Sequence, residues 1–392
     1  MITTRHDGGR SALARALFAA KHLTSDWAPT FAVVPRSAFL PDVIWPYDMD
    51  TGASVRVSRL DEPDVWHGYV NADVPIVTQW DQESDEHAPV VEPTSSSSMP
   101  SVVVAMLRDL QVTGASRVLE IGTGTGWNAA LLAHRLGRFN VVTVEVDASI
   151  AARARGYLRR FGLPVQVITA DGLLGHAAGA PYDRIIATCG MRSIPYSWVQ
   201  QSCAGGLILA PWGTPYSHLD ANVRLTVADD GRSASGRFLG PVEFMKLRAH
   251  HLTWPDHDDY MSQHGFDDAV TSSTDITEDD FGTGRFDASH FAVGLRVRDC
   301  VRSVAEKREG ARPVWFYSLT DRSWAVVMFR DGEKEATVHQ AGERRLWDEV
   351  EAAWRWWDAS GRPGYERFGL TVTAEGQTVW LDEPANVCRS TA

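Results

Sequence analysis

The clearest chemical signal in this chain is a glycine-rich loop between an apolar run and a helical pattern. Val118–Ile121 predicts a buried strand, and Trp127–Leu136 has the spacing of a packed helix. The glycines between them are Gly122, Gly124 and Gly126. Glycine has no Cβ, so the backbone of such a loop can touch a ligand. A dinucleotide fingerprint would need its third glycine where Trp127 stands, so the pattern argues against a pyrophosphate ligand.

Acidic residues follow the next two apolar runs. Val141–Asp147 contains Glu145, roughly 20 residues past the loop, where a doubly wound sheet places the carboxylate that accepts the ribose hydroxyls. A solvated acid at a strand end is the alternative for Glu145. Val165–Gly172 ends in an Asp-Gly pair, and its acid, Asp171, would face an adenine amino group. Further strand patterns at 182–190 and 205–213 complete an ordered series, which predicts an α/β fold with a nucleoside site at the carboxyl ends of parallel strands.

With Glu120 in front of the glycines, the pattern resembles the first motif of class I S-adenosylmethionine-dependent methyltransferases. The resemblance implies a Rossmann-like doubly wound sheet and S-adenosyl-L-methionine as cofactor. The expected cofactor-binding residues are Glu120, Gly122, Thr123, Gly124, Gly126, Asn128, Glu145, Val146, Asp171, Gly172 and Thr188.

From about Ser11 to Arg248 the chain resembles protein L-isoaspartate (D-aspartate) O-methyltransferases. The quoted matches are Val34–Pro41, Tyr69 with Asp73–Ile76, Val118–Ala133, Ala170–Gly172, Ala180–Ile186 and Val242–Leu247. Those enzymes carry a Thr-Ile-Ser-x-Pro segment whose serine borders cofactor and substrate. Its counterpart here is Thr94–Ser101, which places that serine at Ser98.

This segment departs from the family pattern. Ser97 replaces the isoleucine, Ser101 replaces an aromatic residue or His, and 79–92 resembles an insertion, so we expect a changed substrate mouth. Ser98, Ser97 and Ser101 are the candidate catalytic residues. A flexible serine-rich linker is the alternative, but Pro100 followed by apolar Val102–Leu110 predicts a helix start behind the serines.

Serine suits the expected chemistry. A carboxylic acid with a pKa of ~4 is already ionised at neutral pH, so its methylation needs no strong general base. The reaction needs alignment of the carboxylate, methyl carbon and sulfur. Hydroxyl and backbone N–H donors serve this better than Lys or Arg, because a tight ion pair would stabilise the unreacted carboxylate.

Composition narrows the function classes. A net charge of −12 disfavours nucleic acid as the main partner. No apolar run reaches the length of a membrane span, and residues 11–23 read as an amphipathic helix and not as a signal peptide, so neither a membrane nor secretion is expected. The four cysteines are widely scattered, which favours a reducing, cytoplasmic location and predicts no metal site.

Composition also divides the chain. We expect an N-terminal helical cap with the serine loop (1–100), a cofactor-binding core (101–249), an acidic connector (250–290) and a C-terminal α+β accessory domain (291–392). An ordered, peptide-contacting insertion is the alternative for the connector. Tryptophans in the last domain are expected mainly to fill its core.

The appended domain resembles that of actinobacterial homologues encoded with lanthipeptides and graspetides, which are ribosomally made, post-translationally modified peptides. That resemblance implies methylation of an aspartate in a constrained precursor peptide, closure to an aspartimide (succinimide), and in some cases hydrolysis to isoaspartate. General isoaspartyl repair is the second hypothesis. A catalytically silent cofactor-binding scaffold is the third, and the intact loop and acids argue against it. The oligomeric state is not predicted.

Overall fold

The computed structural model describes residues 6–49, 51–80, 93–261, 265–282 and 284–389. The chain divides into two compact units. The first contains residues 1–189, 195–210 and 224–234, and the second contains 190–194, 211–223 and 235–392. The predicted boundary near residue 249 therefore differs from the observed division, because the chain passes between the units several times.

The first unit begins with mixed helices and short strands. In chain order these are α1 (His6–Ala19), α2 (Ala28–Val33), β1 (Val43–Pro46), β2 (Val57–Ser58), α3 (Pro63–Val70), β3 (Ile76–Trp80), β4 (Pro93–Ser97) and α4 (Pro100–Asp109). The strands form a sheet of order β2-β1-β3-β4. The N-terminal region predicted to be a helical cap therefore also contains a four-stranded sheet. The serine tract is not a linker, because Pro93–Ser97 pairs with β3 as a strand.

The rest of the first unit alternates strands and helices. The elements are β5 (Val118–Ile121), α5 (Trp127–Leu136), β6 (Val141–Glu145), α6 (Ala148–Arg160), β7 (Gln166–Thr169), β8 (Tyr182–Ala187), α7 (Tyr196–Gln200), β9 (Ser202–Trp212) and β10 (Asp220–Val227). β9 and β10 each have residues in both units.

Five of these strands form a parallel sheet of order β9-β8-β5-β6-β7. β5 lies at its centre, and all four of its residues are buried, as expected for a parallel strand covered on both faces. Crossovers through α5 and α6 bring the carboxyl ends of β5, β6 and β7 to one edge. This is the doubly wound arrangement that the sequence predicts.

The second unit contains a second sheet and several helices. Its elements are β11 (Ala234–Val242, from residue 235), α8 (His257–Tyr260), β12 (Val270–Thr274), α9 (Glu278–Phe281), α10 (Ala288–Arg296), β13 (Cys300–Val304), β14 (Ala311–Ser318), β15 (Trp324–Arg330), β16 (Ala336–Ala341), α11 (Leu346–Ala359), β17 (Phe368–Thr373) and β18 (Gly376–Leu381). An antiparallel sheet has the order β12-β16-β15-β14-β13, while β18 and β17 lie beside β11.

Tryptophans fill much of this unit's interior. α11 packs against β14, β15 and β16. Trp347 on its buried face lies 5.8 Å from the rings of both Phe281 and Phe316. Trp254, by contrast, is 47% exposed. Core filling is therefore confirmed as the main use of these side chains.

In its described parts (250–261, 265–282 and 284–290) the acidic segment is folded and does not form a solvated connector. It supplies α8, β12 and α9, and it buries Tyr260, Ile276 and Phe281. Several of its acids act locally: Asp256 and Asp259 form a capping box at α8, and Asp287 caps α10. Composition alone missed this because a few large apolar side chains anchor a mostly polar segment.

Within the described residues, no helix is long and apolar enough to cross a membrane. The same residues contain no group of three or more His, Cys, Asp or Glu side chains that could hold a metal ion.

Candidate active site

The glycine loop connects β5 to α5 through backbone conformations that favour glycine. Gly122, Gly124 and Gly126 have φ values of +93°, +53° and +88°. The amides of Gly122 and Thr123 donate to the Val144 carbonyl at 2.9 and 3.2 Å, which ties the loop to β6. The loop backbone is thus fixed at the carboxyl ends of two neighbouring strands.

Close neighbours also restrict these positions. A Cβ on Gly122 would lie 2.9 Å from Thr188 Oγ1, and one on Gly124 would lie 3.4 Å from the Ser96 carbonyl oxygen. Thr188 Oγ1 donates to the Gly122 carbonyl at 2.6 Å. The loop therefore meets the end of β8 on one side and the serine segment on another.

Glu120, at the end of β5, is fully buried. Asn128 Nδ2 donates to its Oε1 at 2.7 Å, so Asn128 contacts the acid that precedes the glycines. Oε2 is buried and accepts no hydrogen bond within the described part of the chain. Burial raises the pKa of Glu120 to about 7, an increase that the neighbouring Thr143 and Asn128 partly offset and to which the charge of Glu145 adds.

Glu145 ends β6 and is also buried. Its Oε2 accepts from the Gly124 amide at 3.0 Å, and its Oε1 accepts from the Asp147 amide at 3.1 Å. The side chain thus turns back onto the glycine loop and is not the solvated strand-end acid that was its alternative.

The remaining predicted cofactor residues follow the carboxyl ends of β5, β6 and β7. Asp171 follows β7, is exposed, and accepts from the Leu173 amide through Oδ1 at 2.9 Å. Gly172 is buried, and a Cβ there would lie 2.5 Å from Ile121 Cγ2. Thr123 is buried with its hydroxyl 2.7 Å from that of Thr143, and Val146 is 50% exposed.

The three candidate serines differ in what their hydroxyls contact. Ser97 is buried, and its Oγ accepts from Arg36 Nε at 2.9 Å. Ser101 is buried in the first turn of α4, where its amide donates to Asp73 Oδ1 at 2.8 Å. Ser98 is half-buried, and among the described residues its hydroxyl has no hydrogen-bond partner. The Ser101 hydroxyl likewise has no hydrogen bond within the described chain, but Ser101 is buried, so Ser98 has the more accessible hydroxyl of the two.

Sequence reasoning did not assign roles to Arg36 or Asp73, although both lie in segments quoted for the family resemblance. Both contact the serine segment. The sequence did contain a signal for Arg36, because it lies in the largely apolar segment Val34–Pro41, where an unpaired charge would be costly.

The buried charge of Glu120 predicts a pH-dependent stability. Its folded pKa of about 7 exceeds the unfolded value of ~4.3, so ionisation in the folded protein is unfavourable. The penalty is absent below the unfolded pKa and fully present above about pH 7. Glu120→Gln removes it, and we expect the variant to gain on the order of 1–3 kcal/mol relative to the wild type between pH 4.5 and pH 8.

Denaturant unfolding of the ligand-free wild type and Glu120→Gln at both pH values measures this gain. The pH 4.5 comparison is the internal control, because both proteins then carry a largely neutral side chain. An unfolding free-energy difference that stays constant between the two pH values would show that Glu120 ionises as easily as a surface acid.

Known proteins of one family are similar to this chain. Residues 75–248 match the model of the family described as protein-L-isoaspartate(D-aspartate) O-methyltransferase. A protein-L-isoaspartate O-methyltransferase from Xanthobacter autotrophicus is 38% identical over 152 residues, which cover 38% of this chain and 65% of the relative. One from Thermococcus sibiricus is 35% identical over 173 residues, which cover 42% of this chain and 77% of the relative.

A solved protein-L-isoaspartate O-methyltransferase has a similar fold, with a TM-score of 0.54. It is 21% identical, and the superposition covers 95% of this chain and all of that one. The predicted class I methyltransferase fold and S-adenosylmethionine as the cofactor are confirmed. This chain belongs to the protein-L-isoaspartate (D-aspartate) O-methyltransferase family.

Proposed function

We propose that this chain transfers a methyl group from S-adenosylmethionine to a carboxylate of an aspartyl or isoaspartyl residue in a peptide. The observation that carries the proposal is the approach of the Ser96 carbonyl to Gly124, at 3.4 Å from its Cβ position. This contact brings the serine segment against the loop expected to hold the cofactor. Ser98 lies two residues after Ser96 and therefore belongs to the same segment beside the glycine loop.

Two buried carboxylates support binding of a cationic ligand. When bound, S-adenosylmethionine supplies an electrophilic methyl group on a positively charged sulfur. Glu120 offers a buried oxygen without a donor, and Glu145 is held beside the loop amide of Gly124. A cation near both acids would offset the cost of burying their charge. The cofactor roles predicted for these two acids, the loop glycines, Asp171 and Thr188 are part of this proposal.

The serine segment, which we expect to bind the methyl acceptor, offers hydroxyls and backbone amides and not a general base. An ionised carboxylate attacks through an oxygen lone pair, so no proton has to be removed first. Ser98 is suited to donate one hydrogen bond that orients the carboxylate without a full ion pair. Ser97 and Ser101 lie on either side of it, buried within the protein.

We expect Gly124→Val to abolish cofactor binding in a folded protein. Its φ of +53° is unfavourable for a β-branched residue, and the added side chain would enter the space between the loop and Ser96. Titration calorimetry with S-adenosylmethionine measures the loss, which we expect to exceed about tenfold in affinity, or ~1.4 kcal/mol.

Gly137→Val is the matched control. Gly137 also has a positive φ, +85°, but a Cβ there would meet nothing within 4 Å. It should lose stability through the same kind of backbone strain while keeping wild-type cofactor affinity. Near-normal affinity of a folded Gly124→Val protein would remove Gly124 from the cofactor site.

Glu145→Ala should weaken cofactor binding by roughly 1.5–3 kcal/mol, the scale of hydrogen bonds to a charged group. Asp147→Ala, two residues away, is the control. Asp147 caps α6 by accepting from the amides of Ser149 and Ile150, so its loss should lower stability by about 1 kcal/mol. If calorimetry finds equal affinity losses for both variants, Glu145 acts through the local fold and not through the ligand.

Two substrate classes fit this reaction. The names of the relatives point to isoaspartyl residues of proteins, the substrate of a repair enzyme. The finer proposal is an aspartate of a modified, constrained ribosomal peptide, whose methyl ester then closes to an aspartimide. It rests on the resemblance of the C-terminal half to homologues from lanthipeptide and graspetide clusters and on the departures at Ser97 and Ser101.

Mass spectrometry separates the two classes. The full chain and S-adenosylmethionine are incubated with an isoaspartyl peptide, its aspartyl isomer, and a macrocyclic aspartyl peptide of the same composition. Repair predicts a methyl ester on the isoaspartyl peptide alone. The finer proposal predicts an ester on the macrocycle, followed by a product that has lost one water relative to the starting peptide. Cofactor binding without any ester would favour a silent scaffold.

A further inference from the structure

Arg36 is a buried arginine in the serine-segment region of the first unit. It follows Pro35 in a short 3₁₀ turn, Arg36–Phe39, and is only 5% exposed. Burial lowers the pKa of its guanidinium to about 9, opposed by the nearby charge of Asp73, so the group stays charged at neutral pH. A buried charge is costly unless it makes specific contacts.

The guanidinium holds the backbone of the serine segment. Nη2 donates to the carbonyl oxygens of Ser97 and Ser98 at 2.7 and 3.0 Å, while Nε donates to Ser97 Oγ. Three acceptors on two consecutive residues are thus bound by one rigid, planar group. A flexible ammonium could not reproduce that fork.

Two other contacts connect Arg36 to the cofactor side and to α4. Its guanidinium carbon lies 5.7 Å from the ring centroid of Trp127, the first residue of α5 after the glycine loop. Asp73, the acid that interacts with Arg36, accepts from the Ser101 amide and so fixes the start of α4. The segment 97–101 is therefore held at both ends.

We propose that Arg36 is a positioning residue for the methyl acceptor, holding the Ser97 and Ser98 carbonyls so that the Ser98 hydroxyl faces an incoming carboxylate. Carbonyl oxygens that faced the acceptor would repel its negative charge. Binding them to Arg36 removes that repulsion and keeps the guanidinium out of a direct ion pair with the substrate. The inference rests on the proposed carboxyl methylation.

Arg36→Lys tests this inference, with Arg135→Lys as the matched control. Arg135 also packs over a tryptophan, Trp27, and donates to a backbone carbonyl, that of Asp26, but it does not touch the serine segment. For Arg36→Lys we expect kcat/KM on the better of the test peptides to fall about tenfold or more, with S-adenosylmethionine affinity within about twofold of wild type. Arg135→Lys should keep wild-type kinetics.

Hydrogen exchange gives a readout independent of catalysis. Arg36→Lys should speed amide exchange in a peptic fragment covering 94–101 and leave the fragment covering 118–130 unchanged. Ser97→Ala, which removes one acceptor and carries little folding risk, should show the same pattern more weakly. Wild-type exchange and kinetics in both variants would overturn the positioning role. If the wild-type protein methylates none of the test peptides, the proposed function fails instead.

Discussion

The close packing around the glycine loop is the constraint on which the rest of the first unit depends. A Cβ at Gly122 would clash with Thr188 Oγ1 at 2.9 Å, whereas one at Gly124 or Gly126 would touch Ser96 or Leu158 at 3.4 Å, and all three positions have positive φ values that favour glycine. These contacts come from the end of β8, from β4 and from α6 respectively. Glycine at these positions therefore permits both the positive φ values of the loop and the close approach of the three elements. The same glycines leave the loop backbone open to a ligand, so they explain both the close packing of the loop and its expected contact with the cofactor.

Charge is distributed unevenly around that loop. Glu120 and Glu145 lie on the side expected to hold the cofactor, and burial raises the pKa of Glu120 to about 7. The cost of burying Glu120 makes the ligand-free protein less stable than it could be, and a cation beside it would lower that cost. Arg36 lies beyond the loop, beside the serine segment. A cationic methyl donor would therefore meet charges of the opposite sign, whereas an anionic acceptor would meet the serine segment, whose carbonyls are bound by Arg36.

The sequence predicted the centre of the fold better than its periphery. β5 and α5 have the predicted bounds, because an apolar run, glycines with positive φ and a helical stripe are all local signals. The N-terminal sheet was missed because its strands have two to five residues and include prolines and serines, which carry little strand propensity. The order in 250–290 was missed because Tyr260 and Phe281 are stabilised by distant partners, such as the Ser318 carbonyl and Phe316.

The candidate site shows the same division. Strand-end acids and loop glycines follow from topology, so Glu120, Glu145 and Asp171 could be named from spacing. The hydrogen-bond partners of the serines could not, since Arg36 is separated from Ser97 by 61 residues. Only the folded chain distinguishes Ser98, whose hydroxyl has no partner in the described structure, from Ser97, whose hydroxyl is bound.

That distinction changes the weight of the two substrate hypotheses. Serine in place of isoleucine at position 97 predicted a changed substrate mouth, yet its hydroxyl accepts from Arg36 inside the protein. Ser101 is likewise buried, in the first turn of α4. The C-terminal extension is no better marker, since the superposition on an isoaspartyl methyltransferase covers 95% of this chain. Neither feature by itself separates a constrained peptide from an isoaspartyl protein. If Ser98 binds the acceptor as proposed, the separation depends on how the flanking residues of a peptide are held around it, which makes the macrocycle and the two linear peptides the informative substrates.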